Sequence, residues 1–420
     1  MIKILKKVSG NERVTIHLPA SKSISNRLLV LQKLYNIPVN FHNLSESDDT
    51  QVLYHCLNQN ILRRGGWDVG NCGTAMRFLL SYAAITLGKY IISGDERMHQ
   101  RPIKPLVDAW KELGAEINYI EEEGYPPLEV VGKELINYSK DIEIDGSISS
   151  QYISSLMMAG CKLGAGLSIH LVGNISSRPY IKMTLTLMQE IGLDIMWDEE
   201  LDIIKCNKYT EPKHIVKNYF IESDWSAASY CYLWALAIPA LKIEIENLTT
   251  HSLQGDSIIS EYFKMFGVKT IQFDGNKISI TNNQNTLNTE FEFDCTHCLD
   301  MTPTLALAAY ITQTKVKLTG LANLKHKESN RLKVLYTELN KFSNNSATII
   351  ADDILYIHRI EPINFDETLE TYADHRIAMA FSALAAFGDL KINNPEVVSK
   401  SFPSFWDELK KLGVELVCLQ

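Results

Sequence analysis

Amphipathic runs that close on Gly or Asn, four of them followed by a short apolar alternation, recur along this chain of 420 residues. They end at Gly114, Gly192, Gly267, Asn340 and Gly413, in steps of 78, 75, 73 and 73 residues. A helix that stops on Gly or Asn uses the left-handed cap, and the alternation after it (Ala115-Glu116-Ile117, Leu193-Asp194-Ile195) predicts a strand. A sixth, degenerate copy ends near Asn58, only 56 residues before Gly114, so the first unit is about 20 residues short. Within the units a second helix is predicted wherever polar residues precede an apolar run: Asn71 to Thr74, Ser149 to Gln151, Asp224 to Ser226, Asp300 to Pro303, and Asp374 to Arg376. Each places Ser, Thr, Asp or Asn where the first N–H groups of a helix need acceptors. Helix and strand signals mix without strict alternation, which predicts an α+β fold of about six repeated units.

The chain near its N-terminus shows what these helix starts offer. In LPASKSISNR, Leu18 to Arg27, two serines and two cations stand immediately before and within an apolar helix. Free N–H groups and the positive end of the helix dipole make such a start an anion site. Ser23 and Arg27, four apart, share a face. Further cations sit at or near helix starts or beside prolines: Arg77, Arg101, Arg178, Lys327, Arg331, Arg376 and Lys400. The dipole opposes a cation there, so a shared anion between cation and helix is the economical reading. Phosphate carries about −1.5 to −2 charges at neutral pH, and a set this large suits two phosphorylated or carboxylated substrates.

Composition narrows the classes. With 45% apolar residues and this length, two globular domains are expected. The net charge of −9 argues against nucleic acid as a partner. No apolar run approaches the roughly 20 residues that span a bilayer, and no secretory leader pattern precedes the first unit, so a cytoplasmic protein without a membrane partner is expected. The eight cysteines lack a disulfide framework. Cys295 and Cys298 form a lone Cys-x-x-Cys with no second pair, and no metal is expected there. Walker loop, dinucleotide fingerprint, HExxH and GxSxG are all missing, which removes support for nucleotide hydrolysis, hydride transfer and zinc or serine hydrolysis. Two carboxylates remain as proton carriers among the cations. Asp300 reads equally as a helix N-cap, and Glu328 as an i,i+3 partner of Arg331.

The ordered set of motifs resembles the enolpyruvyl transferase family. It runs through LPASKSISNR from Leu18, GNCGTAMR from Gly70, RPIKPL from Arg101, SISSQY from Ser147, SSRPY from Ser176, SDWSAASY from Ser223, LDMTPT from Leu299, NLKHKESNR from Asn323, YADHRIAMAF from Tyr372 and KSFP from Lys400. The resemblance implies a two-lobed inside-out α/β barrel of six βαβαββ repeats, three per lobe, with helix N-termini facing the cleft between lobes. One lobe would hold residues 1–19 and 222–420, the other residues 20–221. It implies transfer of the enolpyruvyl group of phosphoenolpyruvate to the 5-hydroxyl of shikimate 3-phosphate, by a monomeric enzyme that needs neither metal nor organic cofactor. By matching position, Lys22, Ser23, Arg27, Ser149, Ser150, Gln151, Ser177, Tyr180, Asp300, Asn323 and Lys327 would hold shikimate 3-phosphate. Lys22, Gly73, Arg101, Gln151, Arg331, Arg376 and Lys400 would hold phosphoenolpyruvate, while Asp300, Glu328 and Lys22 would be catalytic. Ala20, Cys72 and Phe78 depart from the family's usual Gly, Ala and Pro. A segment missing between about Gln51 and Trp67 would remove a strand or hairpin from the first repeat. A sister branch that acts on UDP-N-acetylglucosamine uses a cysteine in the loop before the Arg-Pro pair; here Gly94 to Pro102 contains none. A noncatalytic anion-binding scaffold is the remaining alternative, and retention of Asp300, Glu328 and Lys22 speaks against it.

Overall fold

A computed structural model describes residues 2–5, 13–59, 66–135, 141–211, 218–282 and 290–418. The chain forms two compact units, one of Met1–Ala20 with Glu222–Gln420 and one of Ser21–Ile221.

The terminal unit contains three four-stranded sheets built on one plan. In order across the sheets, the strands are Val268–Phe273, Lys277–Asn282, Lys242–Glu246 and Arg13–Ile16; Ala347–Ile350, Ile354–Ile357, Lys315–Thr319 and Glu290–Asp294; and Glu415–Cys418, Ile2–Leu5, Leu390–Ile392 and Thr368–Leu369. In each, the last two strands named pair parallel and the others antiparallel. A parallel pair needs a crossover and an antiparallel pair closes by a tight turn, so each sheet is one βαβαββ repeat. The third repeat is circular: Ile2–Leu5, from the start of the chain, supplies the strand that would otherwise follow Glu415–Cys418.

In the central unit, two sheets follow the same plan. They are Glu116–Tyr119, Leu128–Gly132, Gly88–Ser93 and Trp67–Asp68, and then Ile195–Asp198, Ile203–Cys206, Leu167–Val172 and Asp141–Asp145. The third consists, among the described residues, of Asn40–His42 paired parallel with Asn218–Phe220. The shortened first repeat thus keeps its parallel pair and both helices, Lys22–Tyr35 and Asp48–Asn58. The expected deletion falls partly on residues 60–65, outside the described residues.

Two kinds of helix serve each repeat. Except for Lys22–Tyr35, which leaves Lys22, Gln32 and Lys33 outside the core, the first helix is buried on all sides and packs in the core of its unit, as all-round hydrophobicity demands. Trp225–Ala237 and Thr302–Thr312 expose almost nothing, and His375–Phe381 packs against both. Gly73–Ile85 and Ser150–Gly160 do the same in the central unit, tied by Ser155 Oγ donating to the Arg77 carbonyl at 2.7 Å. The second helix is amphipathic and lies outside. Lys104–Glu112 seals the core with Trp110, whose indole N–H donates to Ser81 Oγ at 2.7 Å. Among the described residues no helix is long and apolar enough to cross a membrane.

The outer helices stop as expected at Gly114, Gly192, Gly267 and Gly413, all with φ between 81° and 90°. Asn340 does not. The helix Arg331–Phe342 runs past it, and the left-handed residue is Asn345, φ 56°. The Asn340 amide instead exchanges two hydrogen bonds of 2.9 Å with the backbone of Ala347, fixing where the next strand begins.

Candidate active site

The candidate residues gather where the core helices begin. In the central unit Ser21 caps Lys22–Tyr35, its Oγ accepting from Ile24 N at 3.4 Å. Cys72 Sγ accepts from Ala75 N at 3.3 Å, and Ser149 Oγ from Gln151 N at 3.3 Å. Gln151 Nε2 then donates to Thr74 Oγ1 at 3.1 Å, which brings the starts of two core helices side by side. Ser150 is buried, and Ser177, at the start of Arg178–Glu190, is held left-handed at φ 54°. A non-glycine residue in that conformation is strained, and such strain concentrates at ligand sites.

Arg27 is the most unusual group here. It is buried, yet no carboxylate among the described residues pairs with it. Its guanidinium donates to Thr184 Oγ1 at 2.7 Å, the Ser23 carbonyl at 2.9 Å, Ser154 Oγ at 3.2 Å and the Tyr180 carbonyl at 3.5 Å. The rings of Phe78 and Tyr180 lie 5.5 and 5.9 Å from it. Burial pulls the group down to about 10, the Tyr180 phenol opposing.

A second concentration of positive charge lies over Gly73. A Cβ there would fall 2.2 Å from Nη1 of Arg77 and 2.6 Å from Nη2 of Arg101, so only glycine leaves room for both guanidinium groups. Arg101 is buried and donates to the carbonyl and side-chain oxygens of Asn71, both at 3.3 Å. Lys22 pairs with the buried Asp49 carboxylate at 2.8 Å.

In the terminal unit the cations surround carboxylates. Asp300 Oδ1 accepts from Lys327 Nζ at 3.1 Å and Arg331 Nη1 at 3.0 Å, and Oδ2 from Arg376 Nη2 at 2.9 Å. Burial pushes Asp300 upward, but Arg376, Lys327 and Arg331 outweigh it and hold the carboxyl well below its ordinary range. Arg331 is fully buried and also meets Glu328 Oε2 at 2.8 Å and Asp374 Oδ2 at 3.0 Å. Burial would lower its pKa; Asp374, Glu328 and Asp300 together raise it. One guanidinium therefore holds both proton-carrier candidates. Asn323 lies in the short turn Ala322–His326 that leads into Lys327. Lys400 ends the turn Pro395–Lys400, packed on His375–Phe381.

The family model for EPSP synthase (3-phosphoshikimate 1-carboxyvinyltransferase) matches residues 64–409. The chain belongs to the EPSP synthase family. A relative in that family, the 3-phosphoshikimate 1-carboxyvinyltransferase of Bacteroides fragilis, is 39% identical over 407 residues, 96% of this chain and 95% of its own. The same enzyme of Idiomarina loihiensis is 34% identical over 95% of this chain and 96% of its own. Among solved structures, EPSP synthase from Acinetobacter baumannii superposes with a TM-score of 0.75 at 20% identity, covering 99% of this chain and all of that one. The enolpyruvyl transferase NikO of Streptomyces tendae gives 0.71 at 14%, covering 99% and 98%. These two likenesses establish the fold.

Against that family background, two readings of single residues need correction. Asp300 caps no helix: it lies inside the turn Leu299–Met301, ahead of Thr302–Thr312, and spends its oxygens on cations. Arg178 faces Asp202, with bonds of 2.8 and 2.7 Å, and stacks on Trp197, so it braces the outer helix rather than joining the cation cluster. Other participants carried no local signal. Asp49, Ser154 and Thr184 in the central unit, and Asp256 in the terminal unit, meet the candidate residues only through contacts remote in sequence. Asp374 was legible as an N-cap, and it does accept from Arg376 N at 3.0 Å, but its grip on Arg331 spans 43 positions.

Proposed function

We propose that this protein transfers the enolpyruvyl group of phosphoenolpyruvate to the 5-hydroxyl of shikimate 3-phosphate and releases phosphate. The observation that carries the reading is the pair of carboxylates, Asp300 and Glu328, on one buried guanidinium, Arg331. An addition-elimination at an enol carbon needs a base for the attacking hydroxyl and an acid for the methylene carbon.

In this reading the central unit contributes Ser23, Arg27, Ser149, Ser150, Gln151, Ser177 and Tyr180 to shikimate 3-phosphate. Lys22, the Gly73 backbone, Arg101 and Gln151 serve phosphoenolpyruvate, and Lys22 touches both substrates. The terminal unit contributes Asp300, Asn323 and Lys327 to the first substrate and Arg331, Arg376 and Lys400 to the second. Asp300 takes the proton from the 5-hydroxyl as its oxygen bonds to the enol carbon. Glu328, aided by Lys22, protonates the methylene, giving a tetrahedral ketal. In the second step a methyl proton returns to Glu328, aided by Lys22, the bond to the phosphate oxygen breaks, phosphate departs with the proton that Asp300 took, and the enol double bond re-forms. In this reading the guanidinium groups at Gly73 and around Asp300 balance charge on the departing phosphate, where fixed donors act best.

The test is phosphate release from phosphoenolpyruvate with shikimate 3-phosphate as acceptor, run beside UDP-N-acetylglucosamine. Turnover with the first acceptor alone is expected; no turnover with the first would overturn the reading. The loop Gly94 to Pro102 supports the first, since it lacks a cysteine and turns its Met98 inward, fully buried.

A further inference from the structure

Arg376 carries a second contact that the reaction scheme does not use. Besides Asp300, its Nη2 donates to Ser226 Oγ at 3.4 Å, and Ser226 Oγ in turn donates to Asp256 Oδ2. Ser226 lies in the first turn of Trp225–Ala237, one residue after its Asp224 cap, and Asp256 in the turn Gly255–Ile258. Four elements thus form one line: Asp256, Ser226, Arg376, Asp300.

The chemistry of that line is directional. A guanidinium only donates, so Ser226 can serve Arg376 only through a lone pair, and its single proton must point elsewhere. Asp256, 1% exposed, supplies the acceptor that fixes it. Holding a carboxyl there is unfavourable. Burial and the neighbouring Asp300 push Asp256 up to about 6, Arg376 and the Ser226 hydroxyl pull it down, and Asp224 pushes it further up. The Cys298 thiol also feels its charge. A buried carboxyl whose described contacts include an active-site hydroxyl is a candidate for function before structure.

We propose that Asp256, acting through Ser226, is the positioning residue that keeps the Arg376 guanidinium in place when a substrate anion displaces Asp300 from it. The inference rests on the proposed assignment of Arg376 to phosphoenolpyruvate. Asp300 must release its cations to act on a hydroxyl. The Ser226 contact does not depend on Asp300, so it still aims the guanidinium when Asp300 withdraws, and pre-organised donors are what such a site supplies.

The test uses the full-length protein and steady-state kinetics with both substrates varied. Asp256→Asn keeps the shape and removes the charge, and Ser226→Ala removes the link. Each is expected to raise KM for phosphoenolpyruvate about tenfold, the loss of one charge-assisted hydrogen bond, with KM for shikimate 3-phosphate little changed. Ser226→Thr restores most of the loss. The double variant is no worse than Ser226→Ala, because both act through one line. Unchanged KM for phosphoenolpyruvate in folded variants, or equal rises for both substrates, overturns the inference, and so does failure of both single variants to fold, which would make the line structural. Absence of turnover in the unaltered protein is a separate outcome, and it refutes the functional reading beneath.

Discussion

Replacing Arg27 by Met should strengthen the fold while abolishing shikimate 3-phosphate binding. Burial holds this guanidinium at about 10 against an ordinary 12.5. At about 1.4 kcal/mol for each tenfold change, the charged form is disfavoured in the folded protein by about 3 kcal/mol. For a cation with a lowered pKa this cost is present at every pH below the folded value, so it applies in full at neutrality. Against it stand the hydrogen bonds and ring contacts that Met would lose. Their acceptors keep a local partner, because Thr184 Oγ1 lies 2.8 Å from Ser154 Oγ and 2.9 Å from the Tyr180 carbonyl and can turn its one proton to either. Met is close in length and suits the surrounding Phe78 and Tyr180 rings. The balance is a gain of about 1 to 2 kcal/mol, or roughly 2 to 8 °C for a unit of this size. Thermal melting with and without shikimate 3-phosphate reads both halves. The unaltered protein should gain about 2.7 kcal/mol at a hundredfold excess over Kd, and the variant should gain nothing. A variant that melts lower without ligand, or that still responds to shikimate 3-phosphate as before, would refute the reasoning.

Asp300→Asn should keep the melting shift with shikimate 3-phosphate and lose about 10²- to 10⁴-fold in kcat, the usual worth of a positioned base; normal turnover would remove Asp300 from its role. Gly73→Ala drives a methyl into Arg77 and Arg101, at 2.2 and 2.6 Å. It should raise KM for phosphoenolpyruvate at least about tenfold, and an unchanged KM would mean those guanidinium groups do not serve that substrate. Away from the site, hydrogen bonds from Arg13 and Lys277 hold Glu244 down to about 2, against burial. A lowered carboxyl contributes stability above its unfolded value of about 4.5 and loses it as pH falls toward 2. Urea midpoints of Glu244→Gln should therefore fall less between pH 5 and about 3 than those of the unaltered protein; parallel curves would contradict the assignment.

Legibility from sequence divides along the range of the contact. The caps at Ser21, Cys72, Ser149, Asp224 and Asp374 were readable because an N-cap bond reaches only two or three residues. The outer-helix stops at Gly114, Gly192, Gly267 and Gly413 were readable for the same reason. Asn340 misled because Asn suits both a left-handed cap and a tertiary amide bond, and here the bond to Ala347 prevailed. Asp300 misled because an N-cap and an ion-pair acceptor look alike in sequence, and three cations outbid the backbone N–H groups. The circular third repeat was invisible, since nothing near Ile2 announces pairing with Leu416. The motif order named the candidate site residues, but it carried no information on which cation meets which carboxylate.

That pairing separates the two units in kind. In the central unit Arg27 and Arg101 have no carboxylate partner among the described residues, so an arriving anion relieves an existing imbalance. In the terminal unit the positive charge of Lys327, Arg331 and Arg376 is already answered by Asp300, Glu328 and Asp374. An anion that enters there competes with Asp300 for these cations. Each cation surrendered removes one of the fields that hold this carboxyl low, and the incoming negative charge pushes it further up. On the proposed assignment, Asp300 is a poor base while these cations hold it and a better one once a bound anion draws them away, which couples proton abstraction to occupancy of the site.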